Sequence, residues 1–204
     1  MNVHDLPDTM PLIDAACLRL DADIHPRVMA LMETLMLRRS QRAFSREPLP
    51  LYQLSRVLWA AFGYNRPDTK LRTAPSACNS QEIDIYVAGR EGLYLYDAGR
   101  PALMRVLSED VRALTGEQDF VAVAPVNLLY VADYARMPQV VPEARAEMAA
   151  CCAGAISQNV SLACAAEGLA TVVRGLIDRE RLGGVMGLRP EQHILLAQTV
   201  GRPG

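Results

Sequence analysis

The sequence predicts an α+β domain, with a mixed or antiparallel central sheet flanked by helices. Three observations carry this. Apolar residues recur at three- and four-residue spacing in several segments, and short alternating or β-branched runs lie between them. The two kinds of segment interleave without strict strand–helix–strand repetition. With 204 residues, half of them apolar, the chain can bury one sizeable core.

Residues 1–24 carry Pro7 and Pro11 in a stretch of mixed character, which reads as an N-terminal arm ahead of a single domain over 25–204. A helix fits 26–39, where Val28, Leu31, Met32, Leu35 and Met36 form a stripe. A second fits 50–62, opened by Pro50, striped by Leu51, Leu54, Val57, Leu58 and Ala61, and ended by Gly63. The polar stretch Tyr64 to Gln81 is too long for an idle connection. Ile83–Ala88 and Leu93–Tyr96 flank Gly89-Arg90-Glu91-Gly92 and read as a hairpin. Leu103, Val106, Leu107, Val111 and Leu114 suggest a helix over 100–115, and Val126–Ala132 a buried strand. The longest helical segment, 143–167, is rich in alanine and glycine, which let another backbone approach closely. About 25 residues at 1.5 Å each span about 37 Å, so a subunit interface is a natural place for its far end. Gly168 then serves as a left-handed cap, Asp178 caps a short helix through Met186, and Ile194–Val200 is a final strand.

Net charge is −2 with a pI near 5.9, which gives no overall basic footprint for nucleic acid. No apolar run of 18 residues is found, so no membrane-crossing helix is expected, and no signal peptide is visible. The five cysteines, at 17, 78, 151, 152 and 164, lack CxxC or Cys/His metal spacing. Reduced thiols in a cytoplasm are the simplest reading. Histidines at 4, 25 and 193 are scattered, so no metal site is expected.

The densest chemistry lies in Arg38-Arg39-Ser40-Gln41-Arg42-Ala43-Phe44. Guanidinium groups donate paired, charge-assisted hydrogen bonds to phosphate or carboxylate oxygens, and Ser40 adds a hydroxyl to close such a pocket. Phe44 offers an apolar anchor for the segment. The ordinary alternative is a solvated basic helix end.

Two further segments change that balance: Arg72-Thr73-Ala74-Pro75-Ser76-Ala77-Cys78-Asn79-Ser80-Gln81, and Gly154-Ala155-Ile156-Ser157-Gln158-Asn159 leading to Glu167-Gly168-Leu169. In this order and spacing the three resemble the FMN-dependent nitroreductase family over roughly 26–203. Leu71 to Tyr134 looks most like its branch related to azoline-oxidising dehydrogenases. The resemblance implies a nitroreductase-like fold and an intertwined homodimer holding two FMN molecules, each pocket lined by both chains. It places Arg38, Arg39, Ser40 and Arg42 on the phosphate, ribityl chain and pyrimidine edge. It places Pro75, Ser76, Ala77, Asn79 and Gln81 in the loop along the flavin. Glu167, Gly168 and Leu169 then form the turn whose backbone N–H faces flavin N5. No catalytic side chain is assigned, since the chemistry lies on FMN.

Two departures stand out. Family members commonly carry a C-terminal extension with a basic residue on the phosphate; here Arg202, or Arg174 from the loop after Leu169, is left for that role. The Lys-Tyr pair of the azoline oxidisers is absent, since the sole lysine is Lys70, so azoline oxidation is disfavoured. The expected activity is ping-pong hydride transfer from NAD(P)H through flavin N5 to a nitroaromatic, quinone or similar small electrophile. Two alternatives stay open. One is a dehydrogenase or oxidase of a specific metabolite or peptide, with Tyr64 or Glu82 as acid/base. The other is a non-catalytic FMN-binding protein. Cys78 could be a reactive thiol, although a small half-buried packing residue is the ordinary reading. Glu82 and Asp84 read by default as a solvated face.

Overall fold

A computed structural model describes residues 26–204, so the arm expected over 1–24 lies outside the described residues. The chain divides into two units between Leu37 and Arg38. The first contributes helix α1, Pro26–Leu37, in which the Thr34 hydroxyl donates back to the Ala30 carbonyl. Everything below belongs to the second.

Its centre is a six-stranded sheet. The strands are β3 (Ile83–Gly89), β4 (Gly92–Asp97), β5 (Ala102–Leu107), β6 (Val126–Asp133), β7 (Ala170–Arg174) and β8 (Gln192–Gly201), after a small ribbon of β1 (Tyr64–Arg66) and β2 (Leu71–Arg72). The spatial order is β5-β4-β3-β6-β8-β7, and every neighbouring pair is antiparallel. Helices α2 (Leu51–Phe62) and α3 (Pro142–Ala166) cover one face, and α4 (Arg179–Met186) the other. Strand alternation matches these layers. Ile83, Ile85 and Val87 of β3, with Leu128 and Tyr130 of β6, meet α2 and α3. Tyr86, Ala88, Leu129 and Val131 point the other way, toward Leu182 and Met186 of α4. Because both faces are covered, all of β6 is buried, and apart from Asn127 and Asp133 its residues are apolar.

The small residues of α3 have the predicted use on one side. Ala149, Cys152, Ala153, Ile156, Val160 and Cys164 are buried against α2 and the sheet. The opposite stripe, through Ala146, Glu147, Ala150, Cys151 and Gln158, is exposed. By length and composition α3 could cross a membrane, but its buried face is that of a core helix.

Gly168 caps α3 as expected. Its φ is +68°, the Leu169 N–H reaches the Cys164 carbonyl at 2.8 Å, and the Gly168 N–H reaches Ala165 at 3.4 Å. These bonds form a Schellman motif. Asp178 caps α4 by accepting the Arg181 N–H. Gly63 ends α2 with extended backbone rather than a left-handed turn.

The helix expected over 100–115 is not formed. The segment is the edge strand β5 followed by a short 3-10 turn at Arg112–Leu114. An edge strand with few buried side chains lacks clean alternation, so Leu103, Val106 and Leu107 mimic a helical stripe. Strand β7 is a further element that the sequence pattern does not mark.

Gly92 sits at φ +133°, and a Cβ there would collide with the Leu107 carbonyl oxygen. Gly92→Ala is expected to lower unfolding free energy by about 2–3 kcal/mol, read from the urea midpoint. A loss below about 0.5 kcal/mol would show that the β4–β5 pairing yields freely at this point.

Candidate functional site

The arginine cluster follows α1 as a strap laid along β7. Its Gln41 N–H donates to the Thr171 carbonyl at 2.9 Å, Ser45 N–H to Arg202 at 3.0 Å, and Gly204 N–H to Ala43 at 3.1 Å. Phe44 anchors it as expected, buried beside Ala124, Ala170 and Val172 with its ring 5.4 Å from Phe120. What this scaffold presents is charge without compensation. The guanidinium groups of Arg38, Arg39 and Arg42, and the Ser40 hydroxyl, have no hydrogen-bond or ion-pair partner among the described residues. Arg39, Ser40 and Arg42 are exposed and Arg38 is half-buried. Three unpaired cations within five residues leave the segment locally positive, a charge that a bound anion would offset.

Immediately before β7 in the chain lies the α3 cap. The Glu167 side chain turns toward α2, accepting from Arg56 Nη1 at 3.0 Å and from Gln53 Nε2 at 3.4 Å. The Gly168 N–H is left with its long 3.4 Å bond, the least committed donor of the turn. Because Gly168 is exposed and nothing beyond its own chain neighbours lies within 4 Å of where its Cβ would stand, this backbone is open to a flat ligand.

The two basic residues considered for the phosphate differ. Arg202 is half-exposed beside the strap, with Nη1 paired to Glu47 at 3.1 Å. Arg174 lies at the end of β7 rather than in a loop, and it is buried. Its Nε donates to Thr199 Oγ1, Nη1 to the Thr115 carbonyl and Gln118 Oε1, and Nη2 to Asn127 Oδ1 and Thr115 Oγ1. All those partners are neutral, and burial pushes the guanidinium down to about 10, still charged at neutral pH. Arg174 therefore serves the interior and has no donor facing a surface ligand.

The third segment is elsewhere. Pro75, Ser76 and Asn79 line a cleft of about 330 Å³ with Asn65, Arg72 and Thr73. No residue of the strap or the α3 cap lines it. Asn159 of α3 holds the loop from below, donating to the Thr73 carbonyl at 3.3 Å. Gln81 is its internal brace: Oε1 accepts from Arg72 Nε at 2.6 Å, and Nε2 donates to Lys70 and Asn79 oxygens. Arg72 also donates to the Phe62 carbonyl and lies over the Phe62 and Tyr64 rings, at 4.3 and 4.6 Å. Burial pulls its pKa down. Nearby, Asp84 pairs with Arg136 at 2.8 Å, and burial pushes its carboxyl up against that pairing.

Glu82 and Asp84 do not form a solvated face. Glu82 is fully buried and Asp84 partly so, because β3 enters a sheet covered on both sides. Arg56 and Gln53, which position Glu167, have no motif of their own. Their only sequence signal is polar character three residues apart on an otherwise apolar helix.

Residues 35–202 match the nitroreductase family. A curated protein of Methanocaldococcus jannaschii, named as a nitroreductase, is 32% identical over 182 residues, covering 84% of this chain and 90% of its own. A crystal structure described as a nitroreductase from Ralstonia eutropha is 42% identical, covers 96% of this chain and 89% of its own, and superposes with a TM-score of 0.82. Two structures at 21% identity share the fold. One is a nitroreductase-described protein from Desulfovibrio desulfuricans in complex with FMN, with TM-score 0.62 and 89% and 88% coverage. The other is the NADPH:FMN oxidoreductase of Vibrio harveyi complexed with NAD+, with TM-score 0.62 and 85% and 69% coverage.

Proposed function

The chain belongs to the nitroreductase family, and from that premise we propose that it is an FMN-dependent oxidoreductase acting as a homodimer. The observation that carries the reading is the unpaired set of Arg38, Arg39, Ser40 and Arg42, on a strap tied to the strand that follows the Gly168 turn. These residues fit a flavin mononucleotide: cations and a hydroxyl for the phosphate, and a glycine-bared backbone N–H for the ring. Arg202 adds a half-exposed cation alongside.

FMN, when bound, supplies a ring that takes a hydride from NAD(P)H and later passes the electrons to a nitroaromatic, quinone or similar electrophile. The chain's own residues bind and orient. Arg38 and Arg42 neutralise the phosphate, and Arg39 adds positive potential at the rim. The Gly168 N–H, lightly committed within the helix cap, would be the donor for the ring. Arg56 and Gln53 hold the Glu167 side chain aside, so that no carboxylate crowds that donor. No side chain is required as an acid.

Dimerisation is supported by the separation of the two halves of the site. The loop that carries Pro75, Ser76, Ala77, Asn79 and Gln81 is fixed to α3 at Asn159, eight residues or about 12 Å of helix before Glu167. Its cleft shares no lining residue with the arginine strap. A second copy, docked on the exposed stripe of α3, would bring one chain's loop to the other's strap.

The test is direct. The purified protein is expected to be yellow, to release about one FMN per chain on denaturation, and to sediment as a dimer. Anaerobic NADH or NADPH is expected to bleach it, and menadione or a nitroaromatic to restore the colour. A colourless protein that takes up no added FMN would overturn the reading.

A further inference from the structure

Four non-glycine residues among those described hold a left-handed φ: Lys70 at 53°, Cys78 at 51°, Asn79 at 53° and Gln81 at 48°. All four fall within residues 70–81, the stretch that also supplies most of the wall of the cleft beside Pro75. L-residues avoid this region, and backbone strain of this kind collects at binding sites. Besides the braces from Arg72 and Gln81 already described, Ser76 Oγ holds the loop by accepting the Gln81 N–H at 3.0 Å.

The cleft wall is rich in donors that nothing uses. Arg66 gives Nε to Asn65 Oδ1 and Nη2 to the Arg72 carbonyl, both at 3.1 Å, which leaves Nη1 without an acceptor among the described residues. Asn65 and Asn79 spend only their amide oxygens, on Arg66 and on Gln81 Nε2, so both of their NH2 groups are uncommitted. The Ser76 hydroxyl accepts one bond and donates to nothing among these residues. Arg72 adds a second positive charge, and its acceptors are all neutral: Gln81 Oε1, the Phe62 carbonyl and the Tyr64 hydroxyl.

Against these two guanidiniums, no carboxylate lines the cleft among the described residues. Asp68, on the turn between β1 and β2, is outside its lining, and Asp84, whose field reaches Arg72, is paired with Arg136. Leu71, Ala74 and Pro75 give the rest of the wall an apolar character. An arginine edge beside free amide donors matches the oxygens of a carboxylate or phosphate. A volume of about 330 Å³ lies at the small end of ligand pockets.

We propose that this cleft binds the anionic group of the electron acceptor, a carboxylate or phosphate on a small, mostly apolar molecule, and that Arg66 selects for it. Placing the acceptor there rests on the FMN reading above, through the loop that the cleft shares with the flavin site. The affinity of the cleft for an anion does not. The β1–β2 ribbon thereby gains a use, since it supplies Asn65 and Arg66, which the flavin reading leaves without a role.

The probes are 4-nitrobenzoate and its neutral isostere 4-nitrobenzamide. Reduction of either nitro group to nitroso consumes one hydride, from the nicotinamide, and one proton, and releases water. In calorimetric titrations of the flavin-free Arg38→Ala, Arg42→Ala protein, whose strap is silenced, the carboxylate should bind about tenfold more tightly than the amide. Adding Arg66→Gln should erase that difference. In turnover of the holoenzyme, Arg66→Gln should lower the carboxylate-over-amide preference in kcat/KM about tenfold, through KM, with FMN affinity kept within about twofold. Arg66→Lys should keep part of the preference.

Equal binding of the two probes to the flavin-free protein overturns the proposal. So does a loss of FMN affinity in Arg66→Gln as large as the loss of preference, because the cleft would then hold the flavin phosphate. A rise in KM confined to NADPH would give the anion to the nucleotide and overturn the acceptor assignment. If the wild type takes up no flavin, the FMN reading fails, while the calorimetric comparison still decides whether the cleft is an anion site.

Discussion

Replacing Arg38 and Arg42 together by alanine is expected to weaken FMN binding on the order of a thousandfold while leaving the stability of the apo protein within about 0.5 kcal/mol. The asymmetry follows from the strap. Each guanidinium would lose charge-assisted bonds to the phosphate worth about 1.5–3 kcal/mol, and the pair acts on one group, so simple addition is an upper bound. Neither guanidinium has a protein partner among the described residues, so the apo fold loses nothing. What fixes the strap is its backbone pairing and Phe44, which the substitutions do not touch. Flavin fluorescence quenching gives the affinity, and urea unfolding of the flavin-free protein gives the stability. Wild-type affinity should also fall with added salt, more steeply than that of the double variant. An unchanged affinity would move the phosphate away from this strap.

Arg174→Leu is expected to do the reverse, lowering unfolding free energy by about 3–5 kcal/mol. The buried guanidinium joins β7 to β8 through Thr199, to β6 through Asn127, and to the connection before β6 through Thr115. Removing it leaves the Thr115 carbonyl without its 2.8 Å donor and loosens the set around Asn127. Lysine is a poor substitute, because one ammonium cannot span acceptors that a planar fork reaches on three elements. Gly116→Ala provides an independent check, since a Cβ at that position would strike Arg174 Nη1. Both variants should show a lowered urea midpoint. A loss under about 1 kcal/mol for Arg174→Leu would mean that the network rearranges around water.

The contrast between the strap arginines and Arg174 marks what the sequence could and could not reveal. Arg38 and Arg42 were legible because they cluster with a serine and an anchoring phenylalanine in seven residues. Arg174 stands alone in its segment, and a lone arginine does not disclose that its neighbours in space are Asn127 and Thr199. Long elements were likewise clear. Helix α3 announced itself by its run of small residues, and β6 by the apolar stretch Leu128–Ala132, which suits a doubly covered strand. Strand β5 misled because an edge strand alternates poorly, and β7 is too short to establish a period. Glu82 was misread for a related reason. Charge predicts exposure unless a partner is supplied, and here the partners are a serine hydroxyl two residues away and a thiol from a distant helix.

Trp59 is the chain's only tryptophan. It stands about half exposed on α2, while its main-chain carbonyl accepts from Gly63 and Thr73, so the helix end is tied to the start of the 73–81 loop. The protein therefore carries a built-in optical gauge needing no label. Its emission should be quenched by iodide in proportion to the open area of that one patch, and by energy transfer to any yellow chromophore lodged nearby.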